Sequence, residues 1–138
     1  MHIEKATITA DIIIQFDDGR IVFIKRLNEP FKNMWALPGG IMDPAETIEQ
    51  AAMREAKEET GLDIQLQKLV GVFSKPGRDP RGRTVSILFL ATVTGGKLKA
   101  GSDAKDIMCT KDYMNIQLAF DHNEMIAAWQ KSHTVNSL

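Results

Sequence analysis

A chain of 138 residues, 43% of them hydrophobic and 25% charged, is expected to fold as one domain, residues 1–138, around one hydrophobic core. Its formal net charge of −1 excludes a general attraction for polyanions, so nucleic acid is not an expected partner and any phosphate must be held by local groups or metal. Cys109 lacks a partner for an internal disulfide, the N-terminal Met1-His2-Ile3-Glu4-Lys5 lacks the apolar centre of a signal peptide, and the longest apolar runs, residues 12–14 and 87–91, are far too short to cross a bilayer. The expectation is a cytoplasmic protein with no membrane role.

Residues 7–16 are rich in β-branched side chains, as are residues 21–24, and Asp17-Asp18-Gly19 between them supplies a turn, so the segment reads as a hairpin. Residues 28–40, broken by Pro30, Pro38, Gly39 and Gly40, read as an irregular loop. Thr47 and Gln50 have the spacing of a capping box and Gly61 that of a helix stop, which predicts a helix over residues 48–60. Strands follow at 64–73 and 84–94, joined by a loop carrying Arg78, Arg81 and Arg83. A second helix is expected after Asp121, where Asp121 and Glu124 again have capping-box spacing and Met125, Ile126 and Trp129 form an apolar stripe. Strands before, between and after two helices suggest a mixed α/β sandwich.

Within the first helix, Glu55, Glu58 and Glu59 stand at i, i+3 and i+4 and share one face. Like charges at this spacing repel, and the helix C-terminus disfavours them further through its dipole. A solvated face partly neutralised by Arg54 and Lys57 is one reading. The other is a hard divalent cation, since Mg²⁺ takes oxygen ligands and shares itself between carboxylates, waters and substrate phosphates. Gly39-Gly40 just before the helix would let the backbone approach metal or phosphate, although two glycines also make an ordinary turn.

Gly40, five residues, Glu46, seven residues, Arg54-Glu55, Ala56, Lys57, Glu58-Glu59, Thr60, Gly61 and Leu62 resemble the complete Nudix box, with all seven fixed identities at the required spacing. Ala56 is smaller than the aliphatic residue usual there, a difference of packing and not of chemistry. The resemblance implies an α+β fold, an α/β/α sandwich with a mixed β-sheet and the box as loop, helix and loop. It also implies Mg²⁺, or Mn²⁺, held by Glu55, Glu58 and Glu59 with the backbone carbonyl of Gly39. Arg54 would orient a glutamate, Glu46 would brace the loop against the helix, and Gly40 and Gly61 would serve the motif's turns.

Outside the box, the stretches at residues 35–40, 78–83 and 118–122 are similar to the ADP-ribose pyrophosphatase branch of that family. Arginines offer forked donors to phosphate, so Arg78, Arg81 and Arg83 are candidate substrate ligands, with Asp79 fixing one of them or accepting from a ribose hydroxyl. A solvated, salt-bridged loop is the competing reading. Trp35 would stack on a base or sit in the core. Asp103 and Asp106 lie in a Gly- and Ser-containing stretch after the last strand identified, where family members place an acid near metal or water, and Asp106 matches best. Cys109 reads as a buried apolar residue and His122 as a structural hydrogen-bonding one.

The implied reaction is attack of water on one phosphorus of ADP-ribose, giving AMP and ribose 5-phosphate, with Glu55, Glu58 or Asp106 as base. The alternatives are hydrolysis of oxidised nucleoside triphosphates, hydrolysis of dinucleotide polyphosphates, and a non-catalytic ADP-ribose sensor; intact glutamates and no basic extra domain argue against the sensor. Family members of this size are commonly homodimers.

Overall fold

The computed structural model describes residues 5–101 and 104–136, with side chains to residue 132, so Asp103 lies outside the described residues. Strand β1 (Thr7–Gln15) is followed by β2 (Ile21–Arg26), two short strands β3 (Trp35–Ala36) and β4 (Gly39–Ile41), and helix α1 (Ile48–Thr60). Then come the long strands β5 (Leu62–Phe73) and β6 (Thr84–Gly96), strand β7 (Ala104–Thr110), a 3-10 turn and helix α2 (His122–Asn136). The strands form one mixed sheet of order β3-β2-β1-β6-β5, with β4 also paired to β1 and β7 to β2. β1 runs parallel to β6 along its whole length, whereas the other pairings are antiparallel.

The period-two alternation of β1 explains the layers. Ala10, Ile12 and Ile14 enter the core beneath α1, and Ile13 enters the core beneath α2. α1 presents Ala51, Ala52 and Ala56 to the sheet, and such small side chains let the helix lie close to the strands. Ala56 is completely buried there, so its small size relative to the family's usual residue is absorbed by packing. On the opposite face α2 contributes Met125, Ile126 and Trp129, the expected stripe, against Phe23, Leu37 and Leu88.

The helix boundaries follow from local chemistry. Thr47 Oγ1 accepts from the Gln50 amide at 3.1 Å and Gln50 Oε1 accepts from the Thr47 amide at 2.8 Å, the reciprocal box that the spacing predicts. Gly61 closes the helix in the left-handed region, φ 77°, its N–H donating to the Lys57 carbonyl.

Three expectations need correction. Residues 28–40 are not wholly irregular, because β3 pairs with β2 and β4 with β1; strands of two and three residues around Pro38 are made by pairing rather than by propensity. Asp106 does not follow the last strand but lies within β7, which extends the sheet at β2 and places Asp106 across from Lys25. At the start of α2, Asp121 does not act as a free cap, since both of its carboxylate oxygens accept from Arg78.

A Cβ on Gly61 would sit 2.2 Å from the Lys97 carbonyl oxygen as well as forcing a side chain into positive φ. Gly61→Ala is therefore expected to cost about 1–3 kcal/mol and to lower the thermal midpoint by several degrees, read by circular dichroism. An unchanged midpoint would mean that the α1–β5 corner is not fixed in this way.

Candidate active site

The box converges on one guanidinium. Arg54 reaches Glu46 twice (Nη2 to Oε1 2.6 Å, Nε to Oε2 3.0 Å), Glu55 at 2.7 Å, Glu58 at 3.1 Å and the carbonyl of Ile41 at 3.0 Å. The loop before α1 is thereby tied to the helix. Arg54, and next the Asp43 amide at 2.8 Å, pull the Glu46 carboxyl down to about 2. In turn Glu46 above all, opposed by partial burial and aided by Glu55, raises the Arg54 guanidinium above its ordinary range.

Glu55 and Glu59 behave differently. Burial raises the Glu55 carboxyl, against the lowering effect of Arg54. Burial first and the charge of Glu55 second push Glu59 well above the ordinary carboxylate range, and the two carboxyl groups lie within hydrogen-bonding reach of each other. The Gly39 N–H offers Glu59 a long contact of 3.4 Å. A Cβ on Gly40 would fall 2.4 Å from the Glu55 carboxyl carbon, so a side chain there would displace the Glu55 carboxylate. Glu58 is exposed and meets the site through Arg54.

These donors suit a hard divalent cation. Two partly buried carboxyl groups in contact, each disfavoured as an anion, are relieved by positive charge, and oxygen is the donor that Mg²⁺ or Mn²⁺ accepts. Among the described residues no group of three His, Cys, Asp or Glu side chains makes a ready cage. A cation on Glu55 and Glu59 would complete its shell with waters and phosphate oxygens.

A cleft of about 380 Å³ opens over these glutamates. Its walls include Gly39, Gly40, Arg54, Glu55 and Glu59 from the box, Asp11 from β1, Arg26 from β2, Arg78, Asp79 and Arg81 from the β5–β6 loop, and Phe120 and His122 at the start of α2. Arg78 is a buried strut: Nε and Nη2 donate to Asp121 at 2.9 and 2.7 Å and Nη1 to Thr84 at 2.7 Å. Asp79 is buried and takes Nε and Nη2 of the exposed Arg81 at 3.1 and 2.8 Å. That pairing, ahead of the opposing burial, holds the Asp79 carboxyl below its usual value.

Four expected site residues do not line the cleft: Glu58, which is exposed beside Arg54, and three others. Arg83 donates to the Ser74 carbonyl and is exposed. Trp35 is half-buried against the core on the α2 side, with the Lys25 ammonium 5.6 Å from its ring centre, and does not line the cleft. Asp106 is exposed on β7, its carboxylate accepting from the Ile107 amide.

Sequence reasoning also missed residues that the cleft does contain. Asp11 had a visible signal, an acid in the middle of a β-branched strand; alternation turns it away from the α1 core, where the Ser86 hydroxyl donates to it. Phe120 lay in the stretch 118–122 already noted for its resemblance, without being singled out; Arg26 had no signal, because only tertiary folding sets it beside the box. His122 fulfils its structural role: the Leu37 amide donates to Nδ1 at 3.0 Å, leaving the proton of the neutral ring on Nε2, which lies 3.8 Å from Asp11 Oδ1.

The sequence pattern of the NUDIX domain matches residues 5–132, and the chain belongs to that family. An ADP-ribose pyrophosphatase of Methanocaldococcus jannaschii is 48% identical over 125 residues, 90% of this chain and 73% of the relative. Among solved structures, a MutT/nudix family protein from Enterococcus faecalis superposes with TM-score 0.84 at 30% identity, over 97% of this chain and 64% of the other. A bifunctional NMN adenylyltransferase/ADP ribose pyrophosphatase from Francisella tularensis, complexed with AMP and a Mn ion, superposes with TM-score 0.83 at 29% identity, over 94% of this chain and 42% of the other. The chain thus spans less than two thirds of both solved neighbours.

The buried His122 gives a pH prediction. Burial lowers its pKa from 6.5, opposed by the charges of Asp11 and Asp121 and aided by those of Arg78 and Arg26. The unfolded ring therefore takes a proton as pH falls below about 6.5 while the folded ring stays neutral, so this contribution is intact above that pH and declines below it. The wild-type thermal midpoint is expected to fall between pH 7 and pH 5.5 more steeply than that of His122→Asn. Parallel slopes would contradict the assignment.

Proposed function

We propose that the protein is a Mg²⁺-dependent pyrophosphohydrolase that cleaves ADP-ribose to AMP and ribose 5-phosphate. The observation that carries the metal chemistry is the Glu55–Glu59 pair, two partly buried carboxyl groups in mutual contact at the floor of a cleft whose other walls carry arginines. Support for the substrate comes from the relative that is 48% identical and named ADP-ribose pyrophosphatase. The lone Cys109 and the absence, among the described residues, of any helix long and apolar enough to cross a membrane accord with a cytoplasmic enzyme.

In this reading Glu55 and Glu59, with the exposed Glu58 and the Gly39 carbonyl, would hold the cation. Mg²⁺ bound there would neutralise the diphosphate and acidify the attacking water. Arg54 keeps Glu55 and Glu58 in place while its own position is fixed by Glu46. Of the three candidate bases, Glu55 lines the cleft, whereas Glu58 and Asp106 are exposed outside it, so Glu55 is the base in this reading. His122 is neutral and buried, and it holds the Leu37 backbone beneath the cleft instead of moving a proton. A homodimer completes the proposal.

The test is hydrolysis with Mg²⁺ of ADP-ribose, an oxidised deoxyguanosine triphosphate, diadenosine tetraphosphate and NADH, products separated by chromatography. AMP is expected fastest from ADP-ribose, with Glu59→Gln slower by about a hundredfold or more. Faster turnover of another substrate would keep the metal chemistry and remove the ADP-ribose assignment. Tight ADP-ribose binding without turnover of any substrate would make the protein a sensor.

A further inference from the structure

The last carbonyls of an α-helix have no partner within the helix, and at α1 they belong to the turn that carries Glu58 and Glu59. The chain leaving β6 supplies the partners. The Lys99 N–H donates to the Thr60 carbonyl at 2.8 Å and the Gly101 N–H to the Glu59 carbonyl at 3.0 Å. Residues 96–101 thus form a strap across the end of the helix, drawn from a part of the sequence far removed from it. None of these six residues lines the cleft.

The strap lies against the helix with no room to spare. A Cβ on Gly101 would fall 1.9 Å from the Glu58 carbonyl oxygen and 3.1 Å from the Glu59 Cα. Both neighbours are backbone atoms, which cannot swing aside as the end of a side chain can, so a side chain at residue 101 must push the strap and the last turn of α1 apart. By contrast a Cβ on Gly95, one residue before the strap, would meet only the Asp63 side chain, at 3.3 Å. Beyond the strap the Gly101 carbonyl accepts from the Ala104 amide at 3.2 Å, and Ala104 opens β7. The last turn of α1 is thereby tied to the β2–β7 pair as well as to β5, which follows it directly.

We propose that residues 96–101 are a positioning element for the cation site: by holding the carbonyls of Glu59 and Thr60, the strap sets the direction in which Glu59, and with it Glu58, is presented. Lys99 and Gly101 act through the backbone of the helix turn and touch no reacting atom. Arg54 orients the carboxylates of Glu55 and Glu58 from the loop side, and the strap fixes the backbone of Glu59, which Arg54 does not hold. Mg²⁺ demands near-octahedral geometry, so a shift of its ligands by a fraction of an ångström weakens binding, and groups that orient metal ligands from behind typically control affinity by about 10- to 100-fold. The coupling is reciprocal, so a cation on the glutamates holds the strap in place in return. The inference rests on the reading of Glu55 and Glu59 as the cation site.

The test measures Mn²⁺ binding by electron paramagnetic resonance, with AMP present, for the wild type, Gly101→Ala and Gly95→Ala, each checked by thermal melting in EDTA. Gly101→Ala is expected to weaken Mn²⁺ binding about tenfold or more, and its hydrolysis of ADP-ribose to recover at raised Mg²⁺ with KM changed less than about threefold. Gly95→Ala is expected to bind Mn²⁺ as the wild type does. A folded Gly101→Ala protein with wild-type Mn²⁺ affinity would overturn the positioning role, since a strap that only stabilised the fold would move the thermal midpoint and not the affinity. Equal losses in the two variants would overturn it as well. If Gly101→Ala does not fold, hydrogen exchange of the wild type decides. Mg²⁺ with AMP should then slow the Lys99 and Gly101 amides about tenfold relative to EDTA with AMP and leave the Gly19 amide, bonded within its own turn, unchanged. Unaltered exchange at Lys99 and Gly101 would overturn the proposal. Wild-type protein that binds no Mn²⁺ would instead remove the cation-site reading, and the role of the strap with it.

Discussion

Arg54 stands between groups that would otherwise repel. Glu55 and Glu58 lie on one helix face near the end where the dipole already disfavours negative charge, and Glu46 approaches from the preceding loop. The guanidinium donates to all three carboxylates and to the Ile41 carbonyl, so one side chain offsets the repulsion within the helix and fastens the loop to it. Gly40 lies close to the Glu55 carboxyl group, and a side chain there would displace it. Glu59 receives no such partner from Arg54; it lies against Glu55 and the Gly39 amide, which leaves the pair in want of positive charge.

The sheet supplies the rest of the frame by alternation. Residues 10, 12 and 14 of β1 bind α1 to the sheet, and Asp11 between them faces the cleft with His122 and Ser86. The parallel pairing of β1 with β6 brings Ser86 opposite Thr9, next to Asp11, and the loop before β6 carries Asp79 and Arg81 to the cleft. The Arg78–Asp121 pair then closes the loop against the turn before α2, and that turn and the first residue of α2 add Phe120 and His122.

What was legible in the sequence was local. The limits of α1 follow from Thr47, Gln50 and Gly61, which act within a few residues of one another, and the acidic face follows from helical spacing. The apolar stripe of α2 was legible for the same reason. Pairing across long separations was not. β3 and β4 are too short to show a pattern, and β7 is set by its pairing with β2, so neither residues 35–40 nor Asp106 read as strand. An arginine in a loop announces charge but not direction: Arg78 turns to Asp121, Arg83 to Ser74, and Arg81 to the cleft. Arg26 carried no signal, because only tertiary folding brings it to the cleft.

The central claim is that Glu55 and Glu59 form a divalent-cation site prepared by Arg54. It is tested most directly by titrating the protein with Mn²⁺ and measuring free Mn²⁺ by electron paramagnetic resonance, with AMP present to complete the cation's shell. Wild-type protein is expected to remove Mn²⁺ from solution and Glu55→Gln/Glu59→Gln to remove far less. Equal binding by the two proteins would place the metal elsewhere and contradict the account.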